Sequence, residues 1–456
     1  MGGSTHARYG LWPVKLTIVG GGGFRVPLVY GALLAKRERL PFDEVVLHDL
    51  DDGRMERMAT VLHGLAQERG EELPFRATTD LDDAVEGADF VFSAIRVGRL
   101  EGRVVDESVP LSIGVLGQET TGPGGICFAL RTIPAMVHLA ETIAKKAPHA
   151  WLINFTNPAG MVTEAAQQVL GDRVVGICDS PSGLCRRVAR ALGLHPEQMW
   201  FDYFGLNHLG WLKGAHDAER DRLPELLADD AKLGGFEEGR LFGGDWLRAL
   251  GMIPNEYLYY FYEDAVAHMG ESPRGAYLLE SQAAFYAQNG QDPAAALQAW
   301  RATRAERDRT YMAAERLAAG VEADHDDGGD GGGYEGEAMA VVEAIANNTR
   351  AIMILNTANR SALPFLDERA VVEVPCIVGR TGPVPVAVGP VPAHAQALVT
   401  TIKDVERTTI EASRQDSPEL AVRALALHPL VPSVTAARKI FDGYRQRLPE
   451  LQERFA

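Results

Sequence analysis

Val14-Lys15-Leu16-Thr17-Ile18-Val19-Gly20-Gly21-Gly22-Gly23 is the stretch that decides the fold. An apolar, β-branched run passes straight into four glycines and then into a helical pattern carried by Val26, Leu28, Val29, Ala32 and Leu33. Glycines permit a tight turn and let a pyrophosphate approach backbone N–H groups at the positive end of the helix. The third glycine of the usual fingerprint is replaced by Arg25. The next strand, Glu44-Val45-Val46-Leu47-His48-Asp49, ends in an acid where a ribose hydroxyl needs an acceptor, and that acid would repel a 2′-phosphate. NAD is therefore the expected cofactor, with Gly20, Gly22, Gly23, Phe24 and Asp49 as its contacts.

Outward from this turn the alternation continues. A helix is expected from about Asp52 to Arg69, then strands at Phe75 to Thr78, Asp89 to Ala94, Trp151 to Ile153 and Val174-Val175. This β-α-β order predicts an α/β fold: a Rossmann-like doubly wound parallel sheet over residues 14–180, followed by a mixed α+β second domain over 181–456. The second domain is expected to carry substrate and metal residues and the subunit contacts. Residues 1–13 lack periodicity and read as a disordered leader. Beyond about residue 215 helical segments dominate to about Leu317, and an acidic, glycine-rich loop follows at Asp324 to Gly333. A helix at Glu337 to Asn347 and strands near Ala351 to Leu355 and Ala370 to Val378 are expected to close the second domain.

Charge narrows the classes of partner. With 45 Lys+Arg against 62 Asp+Glu the net charge is −17, so no general attraction to nucleic acid or anionic lipid is expected. Any anionic substrate must then be held by a few local arginines or helix amino ends. Four scattered cysteines, Cys127, Cys178, Cys185 and Cys376, make no disulfide framework, and neither a signal-peptide core nor a membrane-length apolar run stands out. A reducing cytoplasm is the expected compartment.

The polar residues cluster where strands end, the place an open α/β sheet binds ligands. Arg96, Arg99 and Arg103 follow one strand and suit a phosphate dianion, although a solvated loop has the same appearance. Gly117-Gln118-Glu119-Thr120-Thr121-Gly122-Pro123-Gly124-Gly125 enters an apolar helix from Ile126 to Ala144. Asn154-Phe155-Thr156-Asn157-Pro158 offers two asparagines for sugar hydroxyls or a nicotinamide, or for an Asx turn. Gly176-Ile177-Cys178-Asp179-Ser180-Pro181 delivers a thiol beside a carboxylate; the simpler reading is a buried cysteine and an N-capping aspartate. Cys178 and His208 would suit a divalent transition metal with positions left for substrate oxygens. Tyr257 sits in the aromatic segment Tyr257 to Tyr262, and Arg274 is a further candidate anion ligand.

Together these residues resemble the NAD- and metal-dependent glycosidases of glycoside hydrolase family four, from about residue 14 to about 430. The likeness rests on Ile18-Val19-Gly20-Gly21-Gly22, Arg96-Val97-Gly98, Gly117 through Gly125, Ala129 through Pro134, Asn154 through Pro158, Gly176-Ile177-Cys178, Leu206-Asn207-His208 and Val372-Glu373-Val374-Pro375. Arg96-Val97-Gly98 with Leu100-Glu101 looks most like the 6-phospho-β-glucosidases. The resemblance implies hydrolysis of 6-phosphoglycosides, a phosphorylated disaccharide or aryl glycoside, by hydride transfer from sugar C3 to NAD+, loss of the C2 proton, elimination at C1, addition of water to the enone and return of the hydride from NADH to C3. It implies a divalent metal, usually Mn2+, on Cys178 and His208, Tyr257 as the base and Asp179 as the acid. Asn154 would touch the sugar, Arg96 and Arg274 its 6-phosphate, and the assembly would be a homodimer or homotetramer.

Two positions depart from the β-type pattern. Asp179 looks like the branch that cleaves 6-phospho-α-glucosides, where many β-specific members carry Asn, and Arg99 replaces a common glycine. A 6-phospho-α-glucosidase or an α-glycosidase of unphosphorylated sugars is the nearest alternative. A 2-hydroxyacid dehydrogenase and a non-catalytic NAD-binding sensor are more distant ones.

Overall fold

β1 spans Val14–Val19, and all of its residues except Lys15 are buried. Such continuous apolar runs belong to strands covered on both faces, as in parallel sheets flanked by helices. The computed structural model describes residues 14–268, 274–288, 292–309 and 333–456; the expected leader and most of the acidic loop at 324–333 lie outside them. β2 (Phe42–His48), β3 (Phe75–Thr78), β4 (Phe90–Ser93), β5 (Trp151–Asn154) and β6 (Val174–Gly176) pair in parallel with β1 in the order 3-2-1-4-5-6, the order of dinucleotide-binding sheets. Helix α1 (Val26–Lys36) follows β1, and α2 (Asp52–Arg69) follows β2, capped at its amino end by Asp51 and ended by Gly70 in the left-handed conformation. Leu16, Ile18, Val45 and Leu47 are fully buried, each worth about 1.5–3 kcal/mol of transfer free energy.

The order reverses direction between β1 and β4, and a crevice opens there beyond the strand ends. Helix Pro123–Lys146 covers one face. It is long and apolar enough to cross a bilayer by composition, and 72% of that window is buried inside the protein.

The chain past residue 180 does not build its closing strands into a separate sheet. β7 (Trp200–Leu206), β8 (Leu209–His216) and β9 (Ile253–Pro254) form a small antiparallel sheet. β10 (Ala351–Ala358) and β11 (Val371–Gly379), expected to close the second domain, join the first sheet antiparallel beside β6 through the Asn356–Gly176 pair, and an unexpected β12 (Gly382–Pro385) pairs with β11. The reason is edge protection. β6 is three residues long and would otherwise present an open edge, which an apolar neighbouring strand covers. The consequence is one nine-stranded sheet, with residues from both halves of the chain meeting at the end of β6.

Candidate active site

The glycine turn is built for close approach. Gly20 has φ +99°, and a Cβ there would lie 2.8 Å from the Ala94 carbonyl oxygen at the end of β4. Gly22 N–H donates to Asp49 Oδ2 at 3.0 Å, which holds the acid at the end of β2. Among the described residues no side chain caps the amino end of α1, leaving it suited to an anion. Three donors from the second half tie down the carbonyls of this turn: Tyr286 Oη to Gly22 O at 2.7 Å, Trp300 Nε1 to Phe24 O at 2.7 Å, and Tyr334 Oη to Arg25 O at 3.1 Å. Gly20, Gly23, Phe24 and Asp49 line a cleft of about 890 Å³ that runs along the strand ends. Gly22 faces Asp49 and is not among the lining residues. A pyrophosphate and a ribose fit this arrangement of bare turn, open helix end and acceptor.

Farther along the same cleft lie Cys178, Asp179, His208 and Tyr257. Cys178 follows β6 and is 8% exposed; His208 occupies the β7–β8 turn with φ +61°. The His208 ring lies parallel to Tyr257, centroids 3.6 Å apart at 4°. Its Nδ1 is 3.0 Å from Thr120 Oγ1, which leaves Nε2 for a further ligand. Burial pushes the imidazole down to about 3, so the ring is neutral and retains a lone pair. Burial also pushes the Cys178 thiol well above its ordinary range, with the carboxylates of Glu373, Asp179 and Glu256 adding to the shift. Among the described residues no group of three or more His, Cys, Asp or Glu forms a metal cage. A soft thiolate and an imidazole are a suitable donor pair for an open transition-metal site completed by substrate oxygens.

Asp179 occupies the N-cap position of helix Ser180–Leu192, but its side chain makes no capping hydrogen bond. Its carboxyl is half-buried in the cleft wall instead. The next residue ties this turn to another: Ser180 Oγ lies 2.5 Å from Glu256 Oε1, beside Tyr257. Burial raises the Glu256 carboxyl to about 8, assisted by Glu238.

Arginines converge on Glu119. Arg96 Nη2 and Arg103 Nη1 lie 2.6 and 2.7 Å from its two oxygens. Burial alone would raise this carboxyl, yet Arg103, Arg96, Arg274 and Arg307 hold it far below the usual range. Arg96 stacks over Phe128 at 4.7 Å, and Arg274 donates to the Arg307 carbonyl at 3.1 Å. All four guanidiniums line the cleft. Burial first, and then the neighbouring arginines Arg25, Arg274 and Arg103, push Arg307 well below its ordinary value, and an anion beside these arginines would offset their mutual repulsion. Arg99 lines the same cleft but is paired with Asp51 at 3.0 Å beside the end of β2.

One expected contact is corrected. Asn154 is fully buried behind the cleft: its Nδ2 donates to Thr156 O and Thr163 Oγ1, and its Oδ1 accepts the Thr156 N–H. Both side-chain polar atoms are engaged by Thr156 and by Thr163 of the following helix, and the residue does not line the cleft. Asn157 lines the cleft instead, and its buried Oδ1 has no hydrogen-bond partner among the described residues. The sequence alone singles out neither Asn157 nor Arg307. The repeat Arg301, Arg304, Arg307 is the visible hint of the second, and nothing in the NFTNP segment tells which asparagine faces inward.

The sequence pattern of the family 4 glycosyl hydrolases matches residues 15–194, and that of their C-terminal domain matches residues 203–431. The chain is 33% identical to "6-phospho-alpha-glucosidase 1" of Lacticaseibacillus paracasei, over 94% of this chain and 96% of that protein. It is 31% identical to "Probable 6-phospho-beta-glucosidase" of Bacillus subtilis, over 94% and 95%. Among solved structures, a 6-phospho-alpha-glucosidase from gut microorganisms in complex with NAD and Mn2+ superposes with TM-score 0.81 at 27% identity, covering 96% of this chain and 99% of that one. By its sequence, its fold and the cleft they build, this chain belongs to the family 4 glycosyl hydrolases.

Proposed function

We propose that the chain hydrolyses 6-phosphoglucosides, with NAD and a divalent metal, Mn2+ first, as its cofactors. The observation that carries this reading is the meeting in one cleft of a bare glycine turn with Asp49, the Cys178–His208 pair and four arginines around Glu119. When bound, NAD+ on the glycine turn and Asp49 would supply a reversible hydride acceptor, and a divalent metal on Cys178 and His208 would supply Lewis-acid polarisation of the sugar oxygens.

The chain's own residues do the rest. Cys178 and His208 hold the metal. Arg96, Arg103, Arg274 and Arg307 grip the 6-phosphate and so orient the ring. Tyr257 takes the C2 proton at its hydroxyl, while Asp179 supplies a proton to the departing C1 oxygen. Asn157 donates to or accepts from a ring hydroxyl through its amide. This is one of the routes that dispense with paired carboxylates flanking the glycosidic bond.

The β-glucoside reading is supported by Arg96-Val97-Gly98 and by the B. subtilis relative. A second reading, the α-glucoside, is favoured by Asp179 and by the L. paracasei relative. Elimination needs no backside attack at C1, so one site can process either anomer. Aryl 6-phosphoglucosides serve as substrates beside disaccharides, and the chain works in a reducing cytoplasm as a homodimer or homotetramer; the four free, buried cysteines agree with that compartment. Paired α- and β-nitrophenyl 6-phosphoglucosides, assayed with NAD+ and Mn2+ and with each omitted, test the reading. Turnover that needs both cofactors is expected. Metal-independent oxidation of a 2-hydroxyacid with no nitrophenol release would overturn it.

A further inference from the structure

Glu373 belongs to the Val-Glu-Val-Pro segment of β11, is 1% exposed and does not line the cleft. A buried carboxylate is costly unless its oxygens are hydrogen-bonded. Here both are. Oε2 accepts the Tyr203 hydroxyl at 3.1 Å, and Oε1 accepts Asn356 Nδ2 at 2.8 Å and Asn207 Nδ2 at 3.3 Å. Tyr203 Oη in turn accepts Asn255 Nδ2 at 3.0 Å.

These partners sit on the segments that carry the reactive groups. Asn207 is next to His208 in the β7–β8 turn, and Asn255 stands two residues before Tyr257. Asn356 is the strand partner of Gly176, two residues before Cys178, and the two backbones approach so closely that a Cβ on Gly176 would lie 2.7 Å from Asn356 Cβ. His208 holds a left-handed φ of +61°, which costs of order 1–3 kcal/mol for a non-glycine residue and persists only where the surroundings fix it. The hydrogen bond from Asn207 to a buried carboxylate is one such constraint.

We propose that Glu373 is the positioning residue of this site: one carboxylate on β11 sets the segments bearing Cys178, His208 and Tyr257 relative to one another. The inference rests on the proposed reading of Cys178 and His208 as metal ligands and Tyr257 as the base. It goes beyond that reading by assigning their mutual geometry to a group that touches neither sugar nor metal. Glutamine is not an adequate substitute. Its amide would present N–H to the Tyr203 hydroxyl, which already accepts from Asn255, so the base-bearing branch loses its donor–acceptor match.

The branches can be tested separately in the full chain. Glu373→Gln, Asn207→Ala and Tyr203→Phe are compared with the unmodified protein for Mn2+ affinity by electron paramagnetic resonance, NAD+ affinity by calorimetry, kcat, KM and Tm. Glu373→Gln should lower kcat through the Tyr203–Asn255 branch, its amide oxygen still accepting from Asn207 and Asn356, with NAD+ affinity unchanged. Asn207→Ala should weaken Mn2+ and recover its kcat at saturating Mn2+. Tyr203→Phe should lower kcat with Mn2+ affinity kept. If Glu373→Gln fails to fold, the two branch variants still decide. A fall in Tm alone, or parallel weakening of Mn2+ and NAD+ binding, would overturn the proposal. Mn2+ binding by the unmodified protein with all variants equal to it defeats this inference only; no Mn2+ binding by the unmodified protein defeats the ligand reading as well.

Discussion

At the residue scale Cys178 and His208 are selected by the family resemblance; from the residues alone, Cys178 reads equally as a buried cysteine and His208 as a core histidine. Their neighbours are harder to read. Asn154 and Asn157 are three residues apart in one motif, and the fold gives them opposite roles: the first closes a turn with Thr156 and Thr163, the second presents to the cleft an oxygen with no hydrogen-bond partner among the described residues. Which of the two faces inward depends on a threonine on another helix, a contact that no local pattern encodes. Asn157→Ala is therefore expected to lower kcat/KM with Tm unchanged. Asn154→Ala should leave buried partners unsatisfied and cost about 1–3 kcal/mol of stability, visible as a lower Tm in calorimetry. Arg307→Ala removes a charged donor from the end of the cleft proposed to hold the phosphate. An increase in KM of roughly ten- to a hundredfold for phosphorylated substrates is expected, as for the loss of a charge-assisted hydrogen bond.

At the scale of elements, the glycine turn and the strands around it are legible because each obeys a local rule: apolar run, glycines, helical period. Gly20 shows how strictly. Its φ of +99° and the Ala94 oxygen, 2.8 Å from where a Cβ would stand, leave no room for a side chain. Gly20→Ala should cost about 1–3 kcal/mol through backbone strain and weaken NAD+ binding measured by calorimetry, while Mn2+ affinity is kept. The strands β10 and β11 are legible as strands but not in their partner. Antiparallel pairing beside β6 is a choice made by an exposed edge far away in sequence. The same holds for Tyr286, Trp300 and Tyr334, whose donors reach the carbonyls of the first glycine turn from the far half of the chain. Their separations, 264, 276 and 309 residues, put them beyond any periodicity argument.

For the whole molecule, the net charge of −17 makes the four arginines around Glu119 a local exception, which is why the proposed reading puts the anionic substrate there. Cofactor and metal regions occupy different parts of one cleft, so they should be separable. Chelation should abolish glycosidase turnover, Mn2+ should restore it, and NAD+ binding should survive the chelator; simultaneous loss of both would mean that the two regions are not independent. The central claim is that the glycosidic bond breaks by elimination after the C2 proton has left, with Tyr257 as the base. Hydrolysis of a 6-phosphoglucoside in D2O, followed by NMR of the glucose 6-phosphate produced, tests it most directly. Deuterium at C2 is the predicted result. Product formed at full rate with protium retained at C2 would contradict it.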